Sequence, residues 1–155
     1  AAFKDNCTAC HACVAACPND IIKPASFEYG LDGIMLPTLK YDRKYCSYEC
    51  NTCSQTCPHG ALEHISLEEK KKTQIALAVY DPSTCVIIQD GVNCGACSRS
   101  CPAGAIEMKE NPVVPGQFLP SVNSSLCIGC GACEYACPAM PKAIMVKGKT
   151  VQTQA

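Results

Sequence analysis

Cysteine is the residue whose type and spacing carry chemistry here: sixteen occur in 155 residues, and none stands apart from the others. Cys7, Cys10, Cys13 and Cys17 read C-x2-C-x2-C-x3-C, with Pro18 next. Cys46, Cys50, Cys53 and Cys57 open on a three-residue gap and end before Pro58. Cys85, Cys94, Cys97 and Cys101 open on an eight-residue gap and end before Pro102. Cys127, Cys130, Cys133 and Cys137 restore the first spacing, before Pro138. The stretches between bursts are 28, 27 and 25 residues, so the chain is a nearly regular fourfold repeat.

Three thiolates at two-residue intervals let a tight loop wrap one face of an iron–sulfur cubane. The fourth cysteine is expected to begin a helix leading away, with the proline ending the loop. In the bacterial two-cluster arrangement that fourth cysteine ligates the other cluster. The spacing therefore predicts four 4Fe–4S clusters in two interlocked pairs, with all sixteen cysteines as ligands. Gly129 and Gly131, and Gly95 with Ala96, keep their loops slim enough for backbone N–H groups to approach the sulfides. Disulfides would explain an even cysteine count, but not one burst repeated four times with a proline after each. Zinc uses separated C-x2-C pairs, and three cysteines in one short loop would crowd a tetrahedral ion.

These loops need elements to position them. Ile34–Leu39 and Ile75–Tyr80 lead into bursts two and three, and Phe118–Val122 leads more weakly into burst four. Ala61–Ile65, Ala105–Met108 and Ala143–Val146 follow the prolines. All are short and apolar with β-branching, and all read as strands. Lys23–Ser26 and Asn111–Pro120 read as proline-bearing connectors. The expected class is α+β, built of two bacterial-ferredoxin-like units with a pseudo-twofold βαβ-type repeat.

Bursts one and four share the regular spacing, while two and three are irregular and joined by the compact segment 61–80. This favours a nested arrangement: an outer unit of 1–40 plus 117–155, and an inner unit of 41–116. Under the exchanged-ligand rule, Cys7, Cys10, Cys13 and Cys137 would hold one cluster, and Cys127, Cys130, Cys133 and Cys17 its partner. Cys46, Cys50, Cys53 and Cys101 would hold a third, and Cys85, Cys94, Cys97 and Cys57 the fourth. The competing arrangement pairs one with two and three with four.

Composition narrows the function. The hydrophobic fraction of 48% counts the cysteines, and without them it falls to roughly 38%. There is no Trp and there are three Phe, so bound clusters must help hold the chain together. A net charge of −1 does not suit a nucleic-acid binder, and no apolar run of eighteen residues could span a membrane. Lys70–Lys71–Lys72 reads as a solvated helix face. His11, His59 and His64 are the only histidines; His11 lies between two ligands of burst one, where a hydrogen bond to a sulfide is open, and reads first as a surface residue. Tyr29, Tyr41, Tyr45 and Tyr48 gather near burst two, where packing and shielding of a cluster are both open. No nucleotide-binding glycine motif, serine nucleophile or paired-carboxylate constellation suggests catalysis. The chain opens on Ala1–Ala2 without Met or a signal-peptide pattern, which leaves a removed leader or a trimmed start.

The chain resembles the ferredoxin-type subunits of the periplasmic nitrate reductase and methylamine utilisation systems (NapG/MauM type). The likeness lies in the widened third burst, CVIIQDGVNCGACSRSCP, led by ALAVYDPSTC, and in FLPSVNSSLCIGCGACEYACP of the fourth. The C-x3-C opening of burst two departs from that family's usual spacing. The resemblance implies a non-catalytic electron carrier, exported folded to the periplasm. It would relay single electrons between a membrane quinol-oxidising partner and a terminal reductase. A cytoplasmic location is the alternative, because clusters are assembled in the reducing cytosol. Two alternatives in function are a cluster-based redox sensor, or component of a catalytic complex, and a zinc-stabilised interaction module.

Overall fold

Each burst winds through a single turn of helix, and the strands on either side decide which bursts meet. The computed structural model describes residues 2–154. Residues 1–71 and 72–155 form two compact units.

In the first unit, α1 (Ala2–Asn6) leads into burst one, which carries α2 (Ala12–Ala16). A hairpin follows, β1 (Ile22–Pro24) antiparallel to β2 (Pro37–Leu39), with Ile22 opposite Leu39 and Pro24 opposite Pro37. Proline has no amide hydrogen, and past the facing prolines the regular register gives way to an irregular pairing in which the Ala25 amide donates to the Leu36 carbonyl (2.7 Å) and the Met35 amide to the Ala25 carbonyl (2.8 Å). The strand expected over Ile34–Leu39 is therefore shortened, with Met35 just before it in the left-handed region (φ 69°). The connector expected at Lys23–Ser26 contributes two of its residues to β1.

Burst two carries α3 (Thr52–Thr56), and α4 (Leu67–Lys72) ends the unit. A capping box starts α4: Ser66 Oγ accepts from the Glu69 amide (3.2 Å), and the Glu69 carboxylate accepts from the Ser66 amide (2.8 Å). The strand expected over Ala61–Ile65 is not formed, because its backbone groups are used elsewhere. The amides of Leu62, His59, Ala61 and Gly60 turn toward the Cys57 sulfur. The Ile65 carbonyl accepts from Asn51 Nδ2 (2.7 Å) and Gln55 Nε2 (2.9 Å).

The second unit runs strand, burst, helix, strand twice. β3 (Thr73–Tyr80) leads into burst three, whose wide first gap holds α5 (Val86–Gln89) and whose end holds α6 (Ala96–Arg99). β4 (Ile106–Glu110) and β5 (Phe118–Val122) follow, then burst four with α7 (Ala132–Ala136), then β6 (Ile144–Gln154). β4 and β5 pair antiparallel from Ile106–Val122 to Glu110–Phe118, and β3 pairs antiparallel with β6, Tyr80 facing Ile144. The register shifts between Gln74 and Ala76, where the Ile75 amide leaves the ladder to donate to the Ile128 carbonyl (3.1 Å). The core is made of alanines, isoleucines and the cysteines themselves, among them Ala78, Ala105, Ile106, Ala143 and Ile144.

The nested expectation of 1–40 plus 117–155 around 41–116 divides the chain differently from these two units. Bursts one and two fold together within 1–71, and bursts three and four within 72–155. The segment 61–80 straddles the boundary instead of lying inside a unit. β3–β6 pairing closes the second unit around its own two bursts, which requires no excursion to the N-terminal segment. Closing the shorter loops also costs less chain entropy.

Candidate metal centres

The third cysteine of each burst sits in the first turns of its helix: Cys13 in α2, Cys53 in α3, Cys97 in α6 and Cys133 in α7. The fourth cysteine does not begin a helix, as expected from sequence, but follows one. Cys17 (φ −74°, ψ 110°), Cys57 (−71°, 111°) and Cys137 (−67°, 122°) each switch to extended backbone at the C-cap. That switch turns the chain away from its own loop, and the following proline cannot continue the helix. The left-handed position after the second cysteine is taken by Gly131 in burst four and by His11 in burst one (φ 83° and 61°). His11 Nε2 donates to the Met35 carbonyl (2.8 Å), so this nitrogen ties the loop to the segment before β2.

Cys7, Cys10 and Cys13 line one hollow with Cys57, the last cysteine of burst two. Its counterpart in the second unit is lined by Cys85, Cys94 and Cys97 with Cys137. The other two sets are read from mutual electrostatics. Burial pushes the Cys53 thiol up to about 11, and the neighbouring thiols of Cys46, Cys17 and Cys50 add to the penalty. Burial likewise pushes Cys133 up to about 12, with Cys130, Cys127 and Cys101 beside it. The fourth cysteine of every burst thus stands with the other burst of its own unit. The expectation from sequence set Cys137 with Cys7, Cys17 with Cys127, Cys101 with Cys46 and Cys57 with Cys85, whereas the neighbours named above lie within one unit.

The hollows fit an inorganic core with anionic sulfur. Among the described residues, no three His, Cys, Asp or Glu side chains converge closely enough to hold a single ion. Backbone amides face the sulfurs instead. The Leu62 amide, then those of His59, Ala61 and Gly60, hold the Cys57 thiol below its usual range. The Ala105 amide donates to Cys101 Sγ (3.3 Å), and the Ala78 amide in β3 donates to Cys127 Sγ (3.5 Å). Beside Cys85, the Tyr80 hydroxyl and Thr84 Oγ1 are buried with no oxygen or nitrogen partner. Burial, and then the neighbouring Cys85 sulfur, raises the Tyr80 pKa. Buried hydroxyls left this way are expensive unless an acceptor arrives, and thiolate-bound sulfide is one.

Burial is graded across the sets. All four cysteines of burst four are buried, whereas Cys10 is exposed. The loop of burst four lies directly on β3: a Cβ placed on Gly129 (φ +72°) would stand 2.3 Å from the Ala76 carbonyl oxygen. Replacing Gly129 with alanine therefore combines left-handed strain with a backbone collision. The expected result is loss of both centres of the second unit, read as bound iron falling by about half. Unchanged iron in this variant would refute the packing argument.

Sequence reasoning missed one charged residue. Lys70, read as part of a solvated face, is only 7% exposed, and its ammonium donates to the carbonyls of Ser47 (2.5 Å) and Tyr48 (3.1 Å). Only the i, i+4 phase relative to Ser66 and the capping box could have flagged which lysine turns inward. Of the four tyrosines, Tyr41 is buried, Tyr29 and Tyr45 are exposed, and Tyr48 lies under the ammonium groups of Lys70 and Lys71 at 5.8 and 5.5 Å. His59 Nδ1 meets Thr8 Oγ1 (3.3 Å), and His64 Nε2 donates to the Cys57 carbonyl (3.4 Å).

Residues 6–61 and 92–140 each match the 4Fe-4S dicluster domain family. The first match spans bursts one and two; the second runs from before Cys94 past Cys137 and leaves out Cys85. The ferredoxin-type protein NapF of Escherichia coli (strain K12) is 32% identical over 130 residues, 82% of this chain and 68% of that protein. The ferredoxin-type protein NapG of the same strain is 35% identical over 134 residues, 83% of this chain but 58% of its own length. A chain of the formate dehydrogenase - heterodisulfide reductase - formylmethanofuran dehydrogenase complex from Methanospirillum hungatei covers 96% of this chain at 23% identity, with 52% of itself matched and a TM-score of 0.35.

Proposed function

Since this chain belongs to the 4Fe–4S dicluster family of ferredoxin-type proteins, we propose that it relays single electrons through four 4Fe–4S clusters to a redox partner. One observation supports the reading: Cys57 lines a hollow with Cys7, Cys10 and Cys13, and Cys137 lines one with Cys85, Cys94 and Cys97, while Cys17 neighbours Cys53 and Cys101 neighbours Cys133. The ligand sets are then Cys7, Cys10, Cys13 and Cys57; Cys46, Cys50, Cys53 and Cys17; Cys85, Cys94, Cys97 and Cys137; and Cys127, Cys130, Cys133 and Cys101. When bound, a cubane supplies a one-electron couple whose potential follows hydrogen bonding to sulfur and burial. The protein's share is to hold the thiolates, direct amides at them and exclude water. Anaerobic reconstitution should give about sixteen irons and sixteen labile sulfides per chain. About eight irons, or stoichiometric zinc, would overturn the four-cluster reading.

The exposed Cys10 makes the Cys7 set the port for exchange with a partner. Its exposure also favours the second reading, a sensor with one labile cluster. A relay keeps all its iron through repeated oxidation and reduction, whereas a sensor loses about four atoms from this set. The resemblance and the match to NapG support a place in an exported respiratory chain, in the periplasm, between a quinol-oxidising membrane partner and a terminal reductase. Among the described residues, no helix is long and apolar enough to cross a membrane, so such a partner would supply the span.

Each cubane with its four thiolates adds about −2, so four clusters lower the formal charge of −1 to about −9. A partner surface of basic residues follows, and reduction of the partner should slow as ionic strength rises. Stopped-flow rates that stay flat between low and physiological salt would exclude electrostatic docking.

A further inference from the structure

Lys70 is a buried ammonium whose partners are two carbonyls and an aromatic ring. Among the described residues no carboxylate pairs with it, while its neighbour Lys71 is paired with Glu49 (3.1 Å) and Glu68 (3.2 Å). A buried cation left uncompensated is strongly destabilising, so a counter-charge must stand nearby. The Ser47 carbonyl that Lys70 grips is adjacent to Cys46, which brings the ammonium into contact with that cysteine. Asn19 Nδ2 donates to Ser47 Oγ (3.0 Å) and the Tyr45 carbonyl (2.7 Å), which fixes the same segment from the side of burst one. The ammonium is thus held beside Cys46 by a short helix, a capping box and a pinned loop. The groups acting on Cys13 in the other set of this unit are backbone amides and the thiols of Cys7 and Cys10.

Resting on the ligand sets proposed above, we propose that Lys70 is the charge partner of the cluster held by Cys46, Cys50, Cys53 and Cys17, and makes it the electron's preferred seat in the first unit. Adding an electron makes a cubane site more negative, and a fixed positive charge at low dielectric stabilises that state over the oxidised one. An electron entering through the exposed Cys10 is drawn from the Cys7 set to the Cys46 set.

The test is redox titration of the reconstituted full chain, followed by electron paramagnetic resonance, for wild type, Lys70→Met, Lys70→Arg and Lys71→Met. Lys70→Met is expected to weaken one-electron reduction of a single cluster at least tenfold, a downward shift of 59 mV or more. Lys70→Arg should keep most of the wild-type potential, and the already neutralised Lys71 should change it far less. A fully loaded Lys70→Met with unchanged potentials overturns the proposal. Should that variant fail to take up iron, the wild type decides: contact-shifted cysteine β-proton resonances report which cluster is reduced first. Reduction beginning at Cys46, Cys50, Cys53 and Cys17 supports the charge partnership, and reduction beginning at the Cys7 set overturns it. A wild type that binds no cubanes would instead overturn the ligand sets, and iron analysis distinguishes that failure before any potential is measured.

Discussion

Cys57→Ala is expected to strip iron from burst one, not from burst two, in which Cys57 lies. Cys57 shares a hollow with Cys7, Cys10 and Cys13, and in the proposed ligand sets Cys17 completes burst two. A cubane held by three thiolates loses iron readily, so oxidant exposure should lower the count from about sixteen to about twelve. Alkylation followed by peptide mapping reads the location. Cys7, Cys10 and Cys13 should become modified while Cys46, Cys50 and Cys53 remain protected. The mirror experiment in the second unit is Cys137→Ala, which should expose Cys85, Cys94 and Cys97. Modification of Cys85, Cys94 and Cys97 in the Cys57 variant would restore the nested pairing and refute ligand exchange between bursts one and two.

Iron removal should act unequally on the two units. In the first, α1 to α4 are five or six residues long, and the hairpin has three pairs. Isolated helices shorter than about 12–15 residues are marginal in water, so these persist only where something packs them. Its buried apolar residues, Ile21, Ile22, Ala25, Leu36 and Tyr41, are few for seventy residues of chain. Cluster binding is therefore most of the folding energy of this unit. The second unit keeps the β3–β6 and β4–β5 ladders and an alanine–isoleucine core. After anaerobic chelation, amide exchange in residues 2–71 should accelerate by about a hundredfold or more, while β3 amides such as Ala78 retain measurable protection. Equal protection of the first unit before and after chelation would show that its side chains suffice.

The chemistry of the ligands was legible because it is local. A C-x2-C-x2-C-x3-C run closes on itself within eleven residues, and its geometry hardly depends on the rest of the fold. The repeat, the proline after each burst and most strands flanking the second unit could be read the same way. Ala61–Ile65 reads as a strand by composition, yet its amides and carbonyl go to Cys57, Asn51 and Gln55. Local propensity was overruled there by a sulfur and two side-chain amides.

The sequence by itself determined the four bursts of cysteine and, through them, the 4Fe–4S class of the protein. Only the tertiary structure decided which bursts lie in one unit. All four bursts present the same thiolates at nearly the same spacing, so nothing within a burst labels the burst it folds with. The label is nonlocal: β3 pairs with β6, Tyr80 against Ile144, and the β3 backbone lies on Gly129. The same holds for charge. Lys70, Lys71 and Lys72 are chemically alike in sequence, and the phase of α4 buries the first beside Cys46, pairs the second with glutamates and leaves the third exposed. An ammonium acts on a cluster only at close range and low dielectric, and both conditions are set by packing rather than by composition.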